Sequence, residues 1–461
     1  MTLWARLLTK LRSDTFRRTR FSKYDETIAE CSEAIRVDPQ DSVAYDKRGT
    51  AWTCKGEYDK AFADHSEAIR LDPQHPEAYY NRGRAWAWKG ECDKAFADFN
   101  EAIRLDPQYA PAYVGRGSCW ARKGEYDKAI ADFNEAICFD PQNAGVYIDR
   151  GLYWHQRGKY DKAIADFNEA IRLDSQDARA YYNRGRAWTE TREYDKAIAD
   201  HTEVIRLAPP HAKVKRGTVS GQQINLMNLQ SRARYTRSRA WAGKGEYDKA
   251  IGDCTEAIRL DPQFVDAYIG RGHNWDSKGE YDKAITDFNT ALRIAPESAV
   301  AYHNRGNTWL HKGEYDKAIA DYSETIRLDP LDPRAFNNRG IASKRKRDYE
   351  SAVGDYTEAI RLGPDTATRY SAFAWLLATC SDGRYRDGAR AVQLAEKACE
   401  ITDFSDAVSL YVLAAAHAED GNFSDAISWQ RKALDLVAPD EKTDLLARME
   451  LYEAGKPYHE A

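Results

Sequence analysis

Nine arginines recur at one place in this sequence: Arg48, Arg82, Arg116, Arg150, Arg184, Arg237, Arg271, Arg305 and Arg339. Sixteen residues after each stands an aspartate: Asp64, Asp98, Asp132, Asp166, Asp200, Asp253, Asp287, Asp321 and Asp355. Two chemistries fit the series. Guanidinium groups aligned along one channel would hold a polyanion. Guanidinium groups facing carboxylates would form a ladder of charge-assisted hydrogen bonds inside a scaffold. The acids share the period and would neutralise a basic channel, so the sequence predicts the ladder.

Reactive constellations are missing. No G-x-x-x-x-G-K-[ST] phosphate loop occurs, and the ten histidines include no H-x-x-x-H pair or His/Cys cluster at metal spacing. His65 and His201 replace Phe99 at one repeated position, which gives them a structural role. No nucleophile has a base in view, so the chain is expected not to be an enzyme, with no cofactor, no metal and no small-molecule substrate. The eight cysteines form no C-x-x-C pair and are expected as small buried apolar residues in a reducing compartment. No apolar run is long enough to cross a membrane, and Arg6 and Lys10 interrupt the first apolar stretch, so a cytoplasmic location is expected. A net charge of -5 argues against nucleic acid as the principal partner.

The elements that position these residues follow from a beat of 34. Trp52, Trp86, Trp120, Trp154 and Trp188 are evenly spaced, and the beat resumes at Trp241, Trp275 and Trp309. A fixed period of this length means stacked copies of one unit. In residues 76–109, Ala78, Tyr79, Gly83 and Trp86 lie at helical spacing, as do Ala95, Phe96, Phe99, Ala102 and Ile103. Lys89-Gly90 stops the first helix, and Asp106-Pro107 ends the second. Each unit is therefore an antiparallel helix pair. A glycine recurs inside the first helix (Gly49, Gly83, Gly117, Gly151, Gly185, Gly272, Gly306, Gly340) despite a cost of ~1 kcal/mol against alanine. A side chain there must be excluded by close approach.

One copy reads Ala112, Tyr113, Gly117, Trp120, Gly124, Tyr126, Ala129, Phe133, Ala136 and Pro141. This pattern resembles the tetratricopeptide repeat family, in a bacterial form with divergent last repeats. The resemblance implies an all-α fold, a right-handed superhelical solenoid of antiparallel helix pairs whose first helices line a concave groove.

The expected organisation is a basic N-terminal segment with a degenerate first repeat (1–41), a first array (42–208), an insertion loop (209–230), a second array (231–364), divergent repeats (365–438), and a capping helix and tail (439–461). The insertion adds 19 residues, since Trp188 and Trp241 stand 53 apart rather than 34. In the copy that follows, Ser238 takes the glycine place and Arg234 an aromatic one, which predicts looser packing.

Positions that differ between copies on the first-helix face are free to read a partner. They are Tyr80, Arg84, Trp88, Val114, Arg122, Ile148, His155, Tyr182, Arg186, His273, His303 and Asn307. Their mixture suits an extended or helical peptide with apolar anchors and acidic character. The family's carboxylate clamp is expected to be absent: Asn307 and Asn338 match two of its places, but His303 holds the lysine place and Thr366 and Tyr370 the third pair. The function read from the sequence is a non-catalytic scaffold for a protein or peptide ligand. Two alternatives stand beside it. One is nucleic-acid or anionic-surface binding through the basic N-terminus and the 209–239 region. The other is a regulatory subunit of a separate enzyme.

Overall fold

The computed structural model describes residues 23–208 and 226–460. Among them every regular element is helical. The chain divides into two compact units, Met1–Gly245 and Glu246–Ala461. In the first, α1 covers 23–37. It is followed by α2 (Ser42–Lys55), α3 (Tyr58–Leu71), α4 (Pro76–Lys89), α5 (Cys92–Leu105), α6 (Ala110–Arg122), α7 (Tyr126–Phe139), α8 (Ala144–Gln156), α9 (Tyr160–Leu173), α10 (Ala178–Glu190), α11 (Tyr194–Leu207) and α12 (Leu226–Gly243). The second holds α13 (Tyr247–Leu260), α14 (Val265–Ser277), α15 (Tyr281–Ile294), α16 (Ala299–His311), α17 (Tyr315–Leu328), α18 (Pro333–Arg345), α19 (Tyr349–Leu362), α20 (Ala367–Thr379), α21 (Gly388–Ile401), α22 (Ala407–Glu419), α23 (Phe423–Leu436) and α24 (Lys442–Glu453).

Connections of two or three residues, within the pairs from α2–α3 to α10–α11 and from α14–α15 to α18–α19, force the antiparallel pairing. Gly90 ends α4 at φ +94°, and its N–H reaches back to the Ala87 and Trp86 carbonyls. Arg192 makes the same kind of turn at φ +63° without being glycine. Each second helix then packs on the next first helix, as α3 on α4 and α17 on α18. First helices of successive pairs also touch: α2–α4, α4–α6, α8–α10 and α10–α12 in one unit, and α14–α16, α16–α18, α18–α20 and α20–α22 in the other. Second helices show no comparable contact with one another. Within each unit, the first-helix face is therefore the inner side of the stack.

The repeated glycine is where each pair closes. A Cβ on Gly151 would lie 2.6 Å from Phe167 Cε1, on Gly83 2.9 Å from Phe99, and on Gly306 2.8 Å from Tyr322. His65 and His201 meet Gly49 and Gly185 in the same way, at 2.8 and 2.7 Å, and both are fully buried. Burial holds the His201 imidazole down at about 3. The tryptophans join successive pairs: Trp86 of α4 stacks on Phe62 of α3 at 3.6 Å, and Lys94 lies over its ring at 4.6 Å.

The arginines are paired. At Arg48, Arg82, Arg116, Arg150, Arg184, Arg271, Arg305 and Arg339 the fork closes on the aspartate of the same pair. Arg150 Nε donates to Asp166 Oδ2 at 2.9 Å, and Nη2 to Oδ1 at 2.6 Å. The third arm, Nη1, reaches the second helix of the preceding pair: Arg116 to Asn100, Arg150 to Asn134 and Arg184 to Asn168, at 2.6–2.7 Å. Serine or threonine takes this place elsewhere, as Ser66 for Arg82 and Thr255 for Arg271, each at 3.1 Å. Burial pushes the Asp166 and Asp200 carboxyls up, opposed by their arginines.

Two expectations change. Cys138 is exposed and Cys54 half-buried, because Cys138 stands where Arg104 and Arg172 occupy the outer surface of the second helix. All eight cysteines are free. The copy after the insertion was expected to pack loosely, yet Ala233, Ser238 and Ala240 are at most 1% exposed. Its first helix begins earlier than the repeat does, at Leu226, and Leu229 is buried with Ala178, Tyr182 and Val204.

Gly151→Ala is expected to lower the urea midpoint, although alanine is the better helix former by ~1 kcal/mol, because its Cβ would lie 2.6 Å from the fully buried Phe167 ring. An unchanged or higher midpoint would show that the ring gives way. Arg150→Met should cost about 3 kcal/mol by stranding Asp166, and adding Asp166→Leu should recover more than half of the loss. Simply additive losses in the double-mutant cycle would contradict an obligate pair.

Candidate functional site

In the first unit the inner face carries the sequence-selected residues at unequal depth. Tyr80, Val114, Ile148 and Tyr182 are buried and offer only their edges. Tyr80 packs edge-on against Tyr109, with ring centroids 5.6 Å apart. The remaining residues reach the surface. The Arg84 guanidinium lies over both the Tyr80 and Trp88 rings, each at 5.6 Å. Its Nε is buried with no hydrogen-bond partner among the described residues, and so is Trp88 Nε1. Arg122 donates from Nη1 to the Ala87 carbonyl, which ties α6 to α4. His155 meets the Tyr160 ring edge-on at 5.3 Å. Burial, and then Arg186, pulls the His155 imidazole down, so it stands neutral on this face.

A depression of about 480 Å³ opens beside Arg84. It is walled by Tyr24 and Thr27 of α1, Asp46 and Thr50 of α2, Tyr80 and Asn81 of α4, and Tyr109. Asp46 is already committed: Oδ1 lies 2.8 Å from His65 Nδ1, and Oδ2 accepts from Asn81 Nδ2 at 2.8 Å. This Asp46–His65–Asn81 link joins α2, α3 and α4, and at the places of His65 and Asn81 in a later copy His201 Nδ1 lies 3.4 Å from Thr236 Oγ1; neither was visible as a pattern.

In the second unit His273 is exposed. His303 is half-buried, edge-on to Tyr322 at 5.7 Å, with Nδ1 3.9 Å from Asp332 Oδ2. Burial lowers its imidazole against the pull of Asp332. Asn307 Oδ1 accepts from Tyr322 OH at 2.8 Å and from Asn338 Nδ2 at 3.0 Å. The two asparagines that match the carboxylate clamp therefore spend an acceptor and a donor on each other. The inner face of α18, α20 and α22 is covered by the segment 454–460, which sequence reasoning had placed only as a tail after a cap.

The basic regions behind the nucleic-acid alternative lie mostly in residues 1–22 and 209–225, outside the described residues. Of the arginines that follow, Arg237 Nη1 donates to Thr202 Oγ1 at 2.8 Å, and Arg239 lies 3.6 Å from Glu190. Among the described residues no group of three His, Cys, Asp or Glu side chains is placed to hold a metal ion. No described helix is long and apolar enough to cross a membrane.

The crystal structure of yeast Tom70 is similar at 17% identity, over 90% of this chain and 96% of that one, with a TM-score of 0.44. The APC/C hetero-tetramer Cut9-Hcn1 gives 14% identity, 95% coverage of each chain and a TM-score of 0.42. MamA gives 27% identity over 40% of this chain and 96% of that one, with a TM-score of 0.33. No curated protein sequence matches the chain. The pattern described as TPR repeat matches residues 53–87, 153–188 and 277–311. That described as tetratricopeptide repeat matches 89–144, 178–211 and 299–331. These matches fall in both units, on helix pairs closed by the same glycine contact, and the chain belongs to the tetratricopeptide repeat family.

Proposed function

We propose that the protein is a non-catalytic scaffold that holds a peptide segment of a partner protein along its inner, first-helix face. The free thiols fit a reducing, cytoplasmic setting. In the first unit the seat is the surface around Arg84. The observation that carries this reading is the state of Arg84: a cation lying over two aromatic rings, with a buried donor that no group among the described residues satisfies. A buried donor on a charged group is costly when unmet, so the site is completed by an incoming acceptor. The rings supply apolar contact area at little cost in side-chain freedom. The occupant is accordingly a segment with an apolar anchor beside a carboxylate. Arg122, His155 and Arg186 continue the face along the later pairs, and His273, His303 and Asn307 belong to the corresponding face of the second unit.

Random dodecamer peptides displayed on phage and selected on the full chain should converge on acidic, apolar sequences. By calorimetry the selected peptides should bind Arg84→Glu at least about tenfold more weakly, a loss of about 1.4 kcal/mol. Selected peptides without acidic residues, or equal affinity for the variant, would remove the basis for this seat. Binding that falls steeply with salt and is competed by single-stranded DNA would favour the nucleic-acid alternative instead.

A further inference from the structure

After α24 the chain turns at Gly455, φ +68°, and runs without regular secondary structure to residue 460. Its course crosses first helices of the second unit. Glu460 Oε1 accepts from Lys344 Nζ at 2.9 Å and from Trp375 Nε1 at 2.7 Å. The Glu460 backbone N–H donates to the Thr379 carbonyl at 2.7 Å. His459 Nε2 lies 2.6 Å from Glu419 Oε2, and the other oxygen of Glu419 accepts from Arg386 Nε at 2.9 Å. Two residues before Glu460, the Tyr458 ring packs 6.0 Å from the Trp375 ring. Arg448 of α24 lies over Tyr458, Trp375 and Tyr411, at 5.0, 4.9 and 5.4 Å.

The hosts are not those of a simple cover. Lys344 belongs to α18, Trp375 and Thr379 to α20, and Tyr411 and Glu419 to α22, three successive first helices. Lys344 follows Gly340 by four residues, as Ala87 follows Gly83 on the face described above. The apolar closing of the stack is led by Leu445 and Tyr452 of α24, the latter packed with Ala414, Ala418 and Ala426, and Tyr458 sits at the half-buried margin of the same cluster. Segment 454–460 also brings one aromatic ring beside Trp375, one carboxylate to a cation and an indole N–H, and one backbone N–H to a backbone carbonyl. That is how a peptide ligand is read: an anchor, a charge and a main-chain hydrogen bond.

We propose that α18, α20 and α22 form a second peptide seat, selective for an extended segment with an aromatic residue two places before a carboxylate, and that Tyr458-His459-Glu460 occupies it as a tethered competitor. The proposal rests on the reading of the chain as a peptide scaffold and extends it to a separate stretch of first-helix face, in the second unit, with different residues. A short tether holds its end at an effective concentration on the order of millimolar, so a free segment of the same chemistry meets a seat already filled. A partner gains access by displacing the segment, which makes occupancy self-limited rather than open.

The probe is a fluorescein-labelled peptide, Ala-Gly-Lys-Pro-Tyr-His-Glu, titrated with the full chain and read by anisotropy. Wild type should bind it weakly. Glu460→Lys, which sets like charges together at Lys344 and unseats the tether, should bind it about tenfold more tightly or better. Adding Lys344→Glu should abolish that gain, with far-UV circular dichroism unchanged. Against the Glu460→Lys chain, an unlabelled peptide ending in Gln should compete at least about tenfold less well than the one ending in Glu. Equal affinity of wild type and Glu460→Lys, absence of binding to both, or indifference to Lys344→Glu or to the Gln peptide would each overturn the proposal. Arg84→Glu lies in the other unit and should leave these titrations unchanged, so failure of the first seat and failure of this one are separately visible.

Discussion

The three-armed arginine holds this architecture in register. A helix pair alone has one apolar stripe and little to fix how the next pair sits on it. Arg150 supplies that constraint, because two arms grip Asp166 within its own pair and the third grips Asn134 of the pair before. The guanidinium is planar and its donors are fixed relative to one another, so satisfying all three sets an angle as well as a distance. The adjoining residue, Gly151, lets the first helix come close enough for the fork to reach. Glycine and arginine are therefore one device. Close approach without the fork would leave a buried carboxylate, and the fork without close approach would not span the gap.

Placing the register on charged groups frees the opposite face. Were the stacks held mainly by side chains of the inner surface, those positions could not vary without loss of fold. Here they do vary: Arg84, Ser118, Leu152 and Arg186 occupy one place in successive copies of the first unit. The outer ion pairs add little to this. Asp59 meets Lys89 at 3.1 Å but is 92% exposed, and pairs of that kind are worth well under about 1 kcal/mol.

The helix pairs, the glycine contact and the Arg–Asp pairing were legible because each lies within one repeat and the sequence states it many times. The third arm was not, because it depends on how one pair docks on the next, and Ser66, Asn100 and Thr255 look like ordinary surface polar residues until that docking is known. The inner-face list was legible as positions but not as depths. Val114 and Ile148 were chosen for their variability and are buried, since a helix turned toward a neighbouring first helix buries part of the same stripe that faces the groove. Cys138 misled in the other direction, because a cysteine on an outer surface breaks the ordinary preference of that residue for the interior. The course of residues 454–460 carried no signal at all. It has neither period 2 nor period 3.6, and its partners are separated from it by up to 116 residues.

Arg84 and Lys344 show two answers to the same physical problem. Each is a partly or largely buried cation on an inner face, where an unmatched charge is expensive. At Lys344 burial pulls the ammonium down while Glu460 holds it up, and the chain's own segment provides the match. At Arg84 the neighbouring carboxylate, Asp46, is turned away to His65 and Asn81, and the Nε donor is left without a match. Arg84 follows Gly83 by one residue and Lys344 follows Gly340 by four, so the two cations stand at different places of the repeat. Among the described residues, a segment with the right chemistry reaches Lys344. Under the proposed two-seat reading, such a scaffold would tune its seats less by altering the helices than by what it attaches beside them.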